Sequence, residues 1–287
     1  MEGAAGSYGV TVPAAAGMPA PPWTSVAPAS VDAPDPAVSC GGQAETGGGQ
    51  IPDMDPRFDL GLYSVPEAAR LARVPSRTLW NWVRGYRYVV AGRPTRAGPV
   101  LTPTAQDGAV TLSFVNLTEA LALSGFRELG VPMQRVRRAL HYVGREMQVE
   151  HPLATQRILS DGVELFWEYQ ERRRDEIVLV NIVRGGQRVF PEAVMRYLRE
   201  IEWGRDTFAS RWWPGAGEPG AGPVVVDPLR AFGSPVLAGT GIRTEDVFLR
   251  FAAGEPLADV AQDYGLTFEQ AEAAIRAEAR FLEPLAA

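Results

Sequence analysis

Residues 63–84 read YSVPEAARLARVPSRTLWNWVR, and this stretch decides the fold. Ser64 and Glu67 stand three residues apart, which is the spacing of a helix capping box, and Pro66 suits the first turn of a helix. The small apolar residues that follow predict a short helix, which Pro75 interrupts because proline lacks a backbone N–H. A second helix begins directly after this proline, and the pattern is typical of a helix-turn-helix.

The second helix is predicted to have an inward and an outward face. Ser76 is expected to cap it, and its inward side chains recur at helical spacing: Leu79, Trp82 and Val83. The outward positions carry side chains that can reach base edges and phosphates in a major groove: Arg77, Thr78, Asn81 and Arg84. Trp80 is expected to shield the following strands rather than to touch DNA.

The residues after this helix predict a two-stranded wing. Residues 86–90 form one extended run, residues 91–98 are rich in turn formers, and residues 100–101 resume an apolar pattern. Arg93 and Arg96 are expected at the wing tip, where guanidinium groups suit the negative potential of a minor groove. Arg87 in the first run is assigned to the same DNA-binding surface.

Charge divides the chain into unlike halves. All 28 basic residues are Arg, and 34 acidic residues bring the net charge to -6. Residues 57–145 hold 13 Arg against five acidic residues, whereas residues 146–287 hold 15 Arg against 23. Such asymmetry is typical of a chain of which one half meets a polyanion and the other does not, but Arg-rich solvated helix faces would give the same composition, so the placement of motifs has to decide.

The composition excludes several classes of function. Without Lys the chain has no Walker-type phosphate loop, Schiff base or Ser-Lys dyad. Two His, the single Cys40 and the lack of a metal-spaced cluster predict no catalytic residue, no metal and no cofactor. The first thirty residues lack a secretory pattern, and no apolar run suits a membrane span. A cytoplasmic protein that is not an enzyme is expected.

Between the two charged halves the pattern is mainly structural. Asn116 with Glu119 predicts the start of a helix, and residues 131–147 predict another. Its outward residues Arg135, Arg138 and Arg145 could touch phosphates or could simply be solvated. Further on, short apolar runs predict a small antiparallel sheet and then a helix over residues 191–203.

The acidic end shows a second helix-turn-helix pattern. Thr244 is expected to cap one helix, and Thr267 with Gln270 to cap the last. From residue 224 onward five Arg face ten acidic residues, and the last helix is predicted to expose Glu269, Glu272 and Glu278. Because phosphates repel such a face, it indicates a protein partner or a dimer contact.

These patterns predict an α+β protein that is mainly α with small β elements, with a winged helix-turn-helix and a small C-terminal helix-turn-helix-like domain. A G-x-G-x-x-G match at Gly215, Gly217 and Gly220 is interpreted as a linker, because it precedes an apolar run instead of opening a helix. The predicted divisions are a disordered extension (1–56), a DNA-binding domain (57–150), a packing or dimerisation region (151–213), a Gly/Pro linker (214–223) and a partner-binding or dimerisation module (224–287).

The first half resembles a known family. Residues 63–83, with the wing behind them, look like the winged helix-turn-helix of MerR-type regulators. The polar cap usual after the buried Val74 is replaced by Pro75, so Ser76 comes one place later.

The tail resembles a small homeodomain-like module of unknown activity that often accompanies PIN-like toxin genes. The residues that carry this likeness are Asp227-Pro228, Gly233, Pro235, Gly239-Thr240, Ile242, Thr244, Gly254 and Asp263-Tyr264. Together the two halves resemble a VapB-type antitoxin of a type II toxin-antitoxin system.

This resemblance implies a function and its partners. Such a protein binds its own operator as a dimer, represses its operon and neutralises a PIN-like ribonuclease by protein contact. The implied partner-binding residues are Arg243, Glu269, Glu272, Arg276 and Arg280. The alternative is a stand-alone MerR-like transcription regulator with no toxin partner.

Overall fold

The computed structural model of the chain describes residues 54–106, 109–173, 179–182 and 188–283. The extension predicted to be disordered comprises residues 1–56, and all of it except residues 54–56 lies outside the described residues. Cys40 belongs to this part of the chain.

The helix-turn-helix is present at its predicted place. A short helix α1 (Pro56–Asp59) and strand β1 (Tyr63–Ser64) precede α2 (Val65–Leu71) and α3 (Ser76–Arg84). Ser64 caps α2, since its hydroxyl accepts the backbone N–H of Glu67 at 3.3 Å. The prediction that Ser76 caps α3 is wrong. Arg73 turns the chain at a φ of 56°, so that Pro75 occupies the N-cap position and Ser76 is already helical.

The predicted wing is a two-stranded antiparallel hairpin of β2 (Tyr86–Val90) and β3 (Arg93–Ala97). The second strand therefore begins earlier than predicted. Ala91 and Gly92 both have positive φ, 48° and 76°, and this pairing closes a hairpin within two residues. Residues 100–101 instead donate their backbone N–H groups to the Trp82 carbonyl at the end of α3.

Behind the hairpin, β4 (Thr104–Gln106) and β5 (Ala109–Leu112) join β1 in an antiparallel sheet of order β1-β5-β4. Two helices follow, α4 (Phe114–Glu128) and α5 (Met133–Met147). Ser113 and not Asn116 caps α4: each residue's side chain accepts the other's backbone N–H, at 3.2 Å. The predicted helix start was therefore three residues late.

The middle region is more helical than predicted. After 3₁₀ turns at Pro152–Ala154 and Gln156–Leu159 come α6 (Asp161–Arg173), β6 (Asn181–Ile182), β7 (Arg188–Val189), α7 (Glu192–Arg199), β8 (Ile201–Trp203) and β9 (Ala209–Trp212). Val163, Phe166 and Tyr169 are buried at a spacing of three, which is helical, so the apolar run there is not a strand. The helix predicted over residues 191–203 stops at Arg199, and its end forms β8.

The C-terminal part extends one sheet and adds three helices. Strands β10 (Val224–Val226) and β11 (Pro235–Leu237) complete an antiparallel sheet of order β11-β10-β9-β8. Helices α8 (Thr244–Ala252), α9 (Leu257–Tyr264) and α10 (Phe268–Leu282) follow. The capping box of Thr267 and Gln270 is confirmed. Thr244 is the first residue of α8 rather than its cap, and Arg243 stands at the N-cap.

One hydrophobic core runs from Tyr63 in β1 to Phe281 in α10, and a smaller cluster lies among α8, α9 and α10. The predicted fold class, mainly α with small β elements, is confirmed. The domain boundaries remain predictions. No described helix is both long and apolar enough to cross a membrane.

Candidate nucleic-acid interface

Helix α3 is held firmly by its inward side. Leu79 and Trp82 are buried against the core, as predicted. The turn that precedes α3 is also anchored, because the Ser124 hydroxyl on α4 donates to the Ala72 carbonyl at 3.1 Å. A recognition helix must keep its register while its outer face meets a ligand, and these contacts supply that rigidity.

The outer face of α3 carries the predicted residues. Arg77, Asn81 and Arg84 follow one another at spacings of four and three, so they lie on one side of the helix. Arg77 and Arg84 are exposed, whereas Asn81 and Thr78 are half-buried. The Arg84 guanidinium stacks over the Trp80 ring, 4.2 Å from its centroid. Trp80 therefore orients a cation, a role that the sequence did not reveal.

The wing adds three exposed guanidinium groups. Arg93 lies beside the hairpin turn, as predicted, but Arg96 lies within β3, directly opposite Arg87 on β2. The expected position of Arg96 at the tip is wrong, because the turn takes only two residues. Like charges opposite one another destabilise a sheet unless a counter-charge meets them.

These arginines differ from most others in the chain. Among the described residues no carboxylate lies within 4.0 Å of Arg77, Arg84, Arg87, Arg93 or Arg96. Elsewhere many guanidinium groups are paired, among them those of Arg57, Arg157, Arg196, Arg211 and Arg250. The helix-turn-helix and wing thus present positive charge that the described chain does not compensate.

Helix α5 supports the wing from behind. The Gln134 side-chain amide donates to the Tyr86 hydroxyl at 2.7 Å. Arg137 is half-buried near the wing tyrosines, and this burial lowers the pKa of its guanidinium. Sequence analysis did not single out Arg137, because only the rotation of α5 decides which of its arginines turns toward the wing. Arg138 is exposed, and Arg145 pairs with Glu146 at 2.6 Å.

The predicted partner-binding residues do not form one patch. Glu269, Glu272 and Arg276 share an outer side of α10, with Glu272 and Arg276 paired at 2.7 Å. Arg280 turns away toward Glu200, 3.8 Å distant. Arg243 stands at the start of α8 and pairs with Glu245.

Glu278, predicted to be exposed, is buried. Its carboxylate accepts hydrogen bonds from the Arg70 guanidinium on α2 and from the Thr244 hydroxyl, both at 2.5 Å. Helical periodicity alone could not show this, because the partner lies 208 residues away in the sequence. The last helix of the chain is thereby tied to the first helix of the helix-turn-helix.

A second ion pair joins Glu119 on α4 to His151, which follows α5. The Glu119 carboxylate is 3.0 Å from His151 Nδ1. Burial raises the pKa of Glu119, although the hydrogen bond from His151 opposes this. For His151, burial alone would lower the pKa, but its hydrogen bond to Glu119 and that carboxylate's charge outweigh burial and raise it. Within the ranges that the structure describes, no cluster of His, Cys, Asp and Glu could hold a metal ion.

Known proteins share both parts of this arrangement. Residues 61–140 match a family described as "Putative DNA-binding HTH domain", and residues 224–276 match "Protein of unknown function (DUF433)". The Mycobacterium tuberculosis protein named "Putative antitoxin VapB45" is 37% identical over 235 residues, which cover 78% of this chain and 97% of that protein. The chain belongs to the VapB-type antitoxin family.

The chain is also similar to two other M. tuberculosis proteins. It is 28% identical over 230 residues to "Uncharacterized protein Rv2308", and the aligned part covers 76% of this chain and 90% of Rv2308. The crystal structure of Rv2018 from M. tuberculosis superposes with a TM-score of 0.61 at 35% identity and covers 76% of this chain and 99% of its own. The match of residues 61–140 to the DNA-binding HTH family confirms the predicted helix-turn-helix module of this antitoxin.

Proposed function

We propose that this VapB-type antitoxin binds its own operator through α3 and the wing. The assigned residues are Arg77, Thr78, Asn81, Arg84, Arg87, Arg93 and Arg96. The observation that carries the proposal is that the five arginines among them have no carboxylate partner in the described chain, while many arginines elsewhere do. Phosphates would supply the missing counter-charge.

Each part of the surface suits a different part of the duplex. Arg77 lies in the first turn of α3, the end that a recognition helix directs at base edges, and Asn81 lies one turn further along the same face. The side chain of Arg84 comes at the end of α3 and, held by Trp80, suits a phosphate. The wing arginines suit the flanking backbone or minor groove.

Binding at an operator implies repression of the antitoxin's own operon, in the cytoplasm. As a homodimer the protein would place two copies of α3 about 34 Å apart, one turn of B-DNA, and would require a site of two half-sites. The first half of the chain then carries the sequence recognition, and the second half is free for another partner.

That partner is proposed to be a PIN-like ribonuclease toxin, neutralised by direct contact. The acidic excess of the last helices suits a protein with a basic RNA-binding surface. Glu269, Glu272 and Arg276 on α10 would form one part of the contact. Arg243 at the start of α8 and Arg280 near Glu200 lie apart from them and would belong to other parts of it. Replacing both glutamates by Gln should weaken the complex, and unchanged affinity would rule out this acidic face.

Co-expression with the product of the adjacent reading frame tests the whole proposal. We expect the two proteins to co-purify, and the antitoxin to shift upstream DNA in a gel. DNA binding without co-purification would instead support a stand-alone MerR-like regulator. Failure to bind any upstream duplex would contradict the operator function.

A further inference from the structure

The loop that joins β10 to β11 exposes large apolar side chains. Within residues 229–233, here called the Phe232 loop, Leu229 is 73% exposed and Phe232 is 86% exposed. No other large hydrophobic residue among those described is as exposed as Phe232. Its ring contributes nothing to either hydrophobic cluster.

The backbone of this loop is strained. Ala231 and Phe232 both adopt the left-handed region, with φ of 45° and 53°, and Gly233 follows at 74°. Residues with a Cβ rarely take this conformation, and two in succession lower the stability of the fold. Because the Phe232 ring is 86% exposed, burial of this ring within the described chain does not offset the backbone strain.

The strained shape is nevertheless held in place from several sides. The Asp227 carboxylate accepts the backbone N–H of Leu229 at 2.9 Å. The Gly233 carbonyl accepts the Tyr63 hydroxyl at 2.9 Å, and a Cβ at position 233 would lie 2.4 Å from that hydroxyl oxygen. The loop is therefore pre-organised, which reduces the entropy lost when a partner binds.

The loop also carries a guanidinium with little internal use. Arg230 lies 3.7 Å from the Asp227 carboxylate and stays 58% exposed. Arg211 already holds that carboxylate at 2.9 Å. Arg and Phe are both enriched at protein interfaces, so an accessible arginine two residues from an exposed Phe suits contact with another protein.

The surroundings favour a polypeptide over a nucleic acid. Within residues 229–233 Arg230 is the single charged side chain, and the neighbouring Asp227 carboxylate is buried and paired with Arg211 and Arg230. A phosphate backbone is bound by several cations, whereas one guanidinium among apolar side chains suits an apolar protein pocket with a carboxylate at its rim.

We propose that the Phe232 loop docks into the toxin, in an apolar pocket that receives Phe232 and Leu229 and is rimmed by a carboxylate that meets Arg230. This inference rests on the proposed neutralisation of a toxin and adds a contact surface outside α10. A binding partner explains why the chain keeps a rigid, strained and apolar loop.

Phe232→Gly separates binding from folding. Glycine relieves the left-handed strain, so the Tm is expected to stay unchanged or rise, and affinity for operator DNA to stay unchanged. Affinity for the purified product of the adjacent reading frame, measured by calorimetry, is expected to fall at least about tenfold. The control Leu129→Ala removes an apolar side chain that is 42% exposed between α4 and α5, outside both proposed toxin contacts, and should change this affinity less than threefold.

The outcomes distinguish the two proposals. If the wild-type protein binds the product and Phe232→Gly binds it equally well, the loop assignment is overturned while the neutralising function stands. Weakened self-association with unchanged toxin affinity would make the loop a contact between two copies and also overturn it. If the wild-type protein does not bind the product at all, the neutralising function fails and the loop assignment fails with it.

Discussion

At the scale of single residues, the protein uses arginine in two ways. Paired guanidinium groups hold distant segments together, as Arg70 does with Glu278. Five guanidinium groups without a carboxylate partner among the described residues lie on α3 and the wing. The sequence predicted the second group because helical spacing and a turn signal place them locally. It could not predict the first, since an ion pair between α2 and α10 depends on tertiary packing.

Glu278→Gln should lower the free energy of unfolding by about 2 kcal/mol, because it removes the buried carboxylate charge that pairs with the half-buried Arg70. Urea unfolding of the full chain measures the change. Glu269→Gln on the same helix is the control, since Glu269 is exposed, and it should cost less than about 0.5 kcal/mol. Equal effects of the two substitutions would contradict the structural role of Glu278.

Raising the pH from 6 to 8 should lower the Tm through His151. Its pKa is raised in the folded protein, so protonation favours folding. That stabilisation is full below the unfolded-state pKa of about 6.5 and is lost as the pH rises through the folded-state value. Glu119 acts in the same direction at lower pH. His151→Gln should flatten the dependence of the Tm on pH. Substitution of the exposed His141, the other His of the chain, should leave that dependence unchanged.

At the scale of elements, local sequence predicted where helices lie better than where they begin. Ser64 and Thr267 cap their helices as predicted. Each has an extended backbone at the N-cap position, and its hydroxyl accepts a backbone N–H three residues later. Ser76 and Thr244 do not, because the preceding residue takes the N-cap and draws each of them into the first turn. The second wing strand was predicted too late in the sequence, because the turn formers in residues 91–98 suggested a long loop. The turn takes only Ala91 and Gly92, and β3 begins at Arg93.

Gly85 decides whether the wing can follow α3. Its φ is +73°, and a Cβ there would lie 2.2 Å from the Ala97 carbonyl oxygen. Gly85→Ala should therefore cost more than about 2 kcal/mol of stability and weaken DNA binding by displacing the wing. Gly92→Ala shares the positive φ but meets no atom within 4 Å, so it should cost only about 1 kcal/mol. Thermal unfolding compares them, and a larger loss for Gly92→Ala would contradict this account.

At the scale of the whole molecule, opposite charges are segregated along the chain, while the larger hydrophobic cluster includes residues from both halves. The charge asymmetry is visible in the composition, and it indicated DNA as one partner and a protein as the other. The shared core could not be predicted from the sequence, because Trp212, Val226 and Phe281 meet the helix-turn-helix residues only in the folded chain. A partner on the C-terminal helices would therefore act on a body that also carries the DNA-binding surface.

The salt dependence of operator affinity tests the central claim most directly. Four phosphate contacts correspond to a slope of about -3.6 in a plot of log affinity against log salt concentration. Replacing Arg77, Arg84, Arg93 and Arg96 together by Gln should weaken binding and flatten this slope. A control with the same charge change replaces four paired arginines, Arg157, Arg172, Arg199 and Arg276, and should keep the wild-type slope. Unchanged affinity and slope in the first variant would contradict the account.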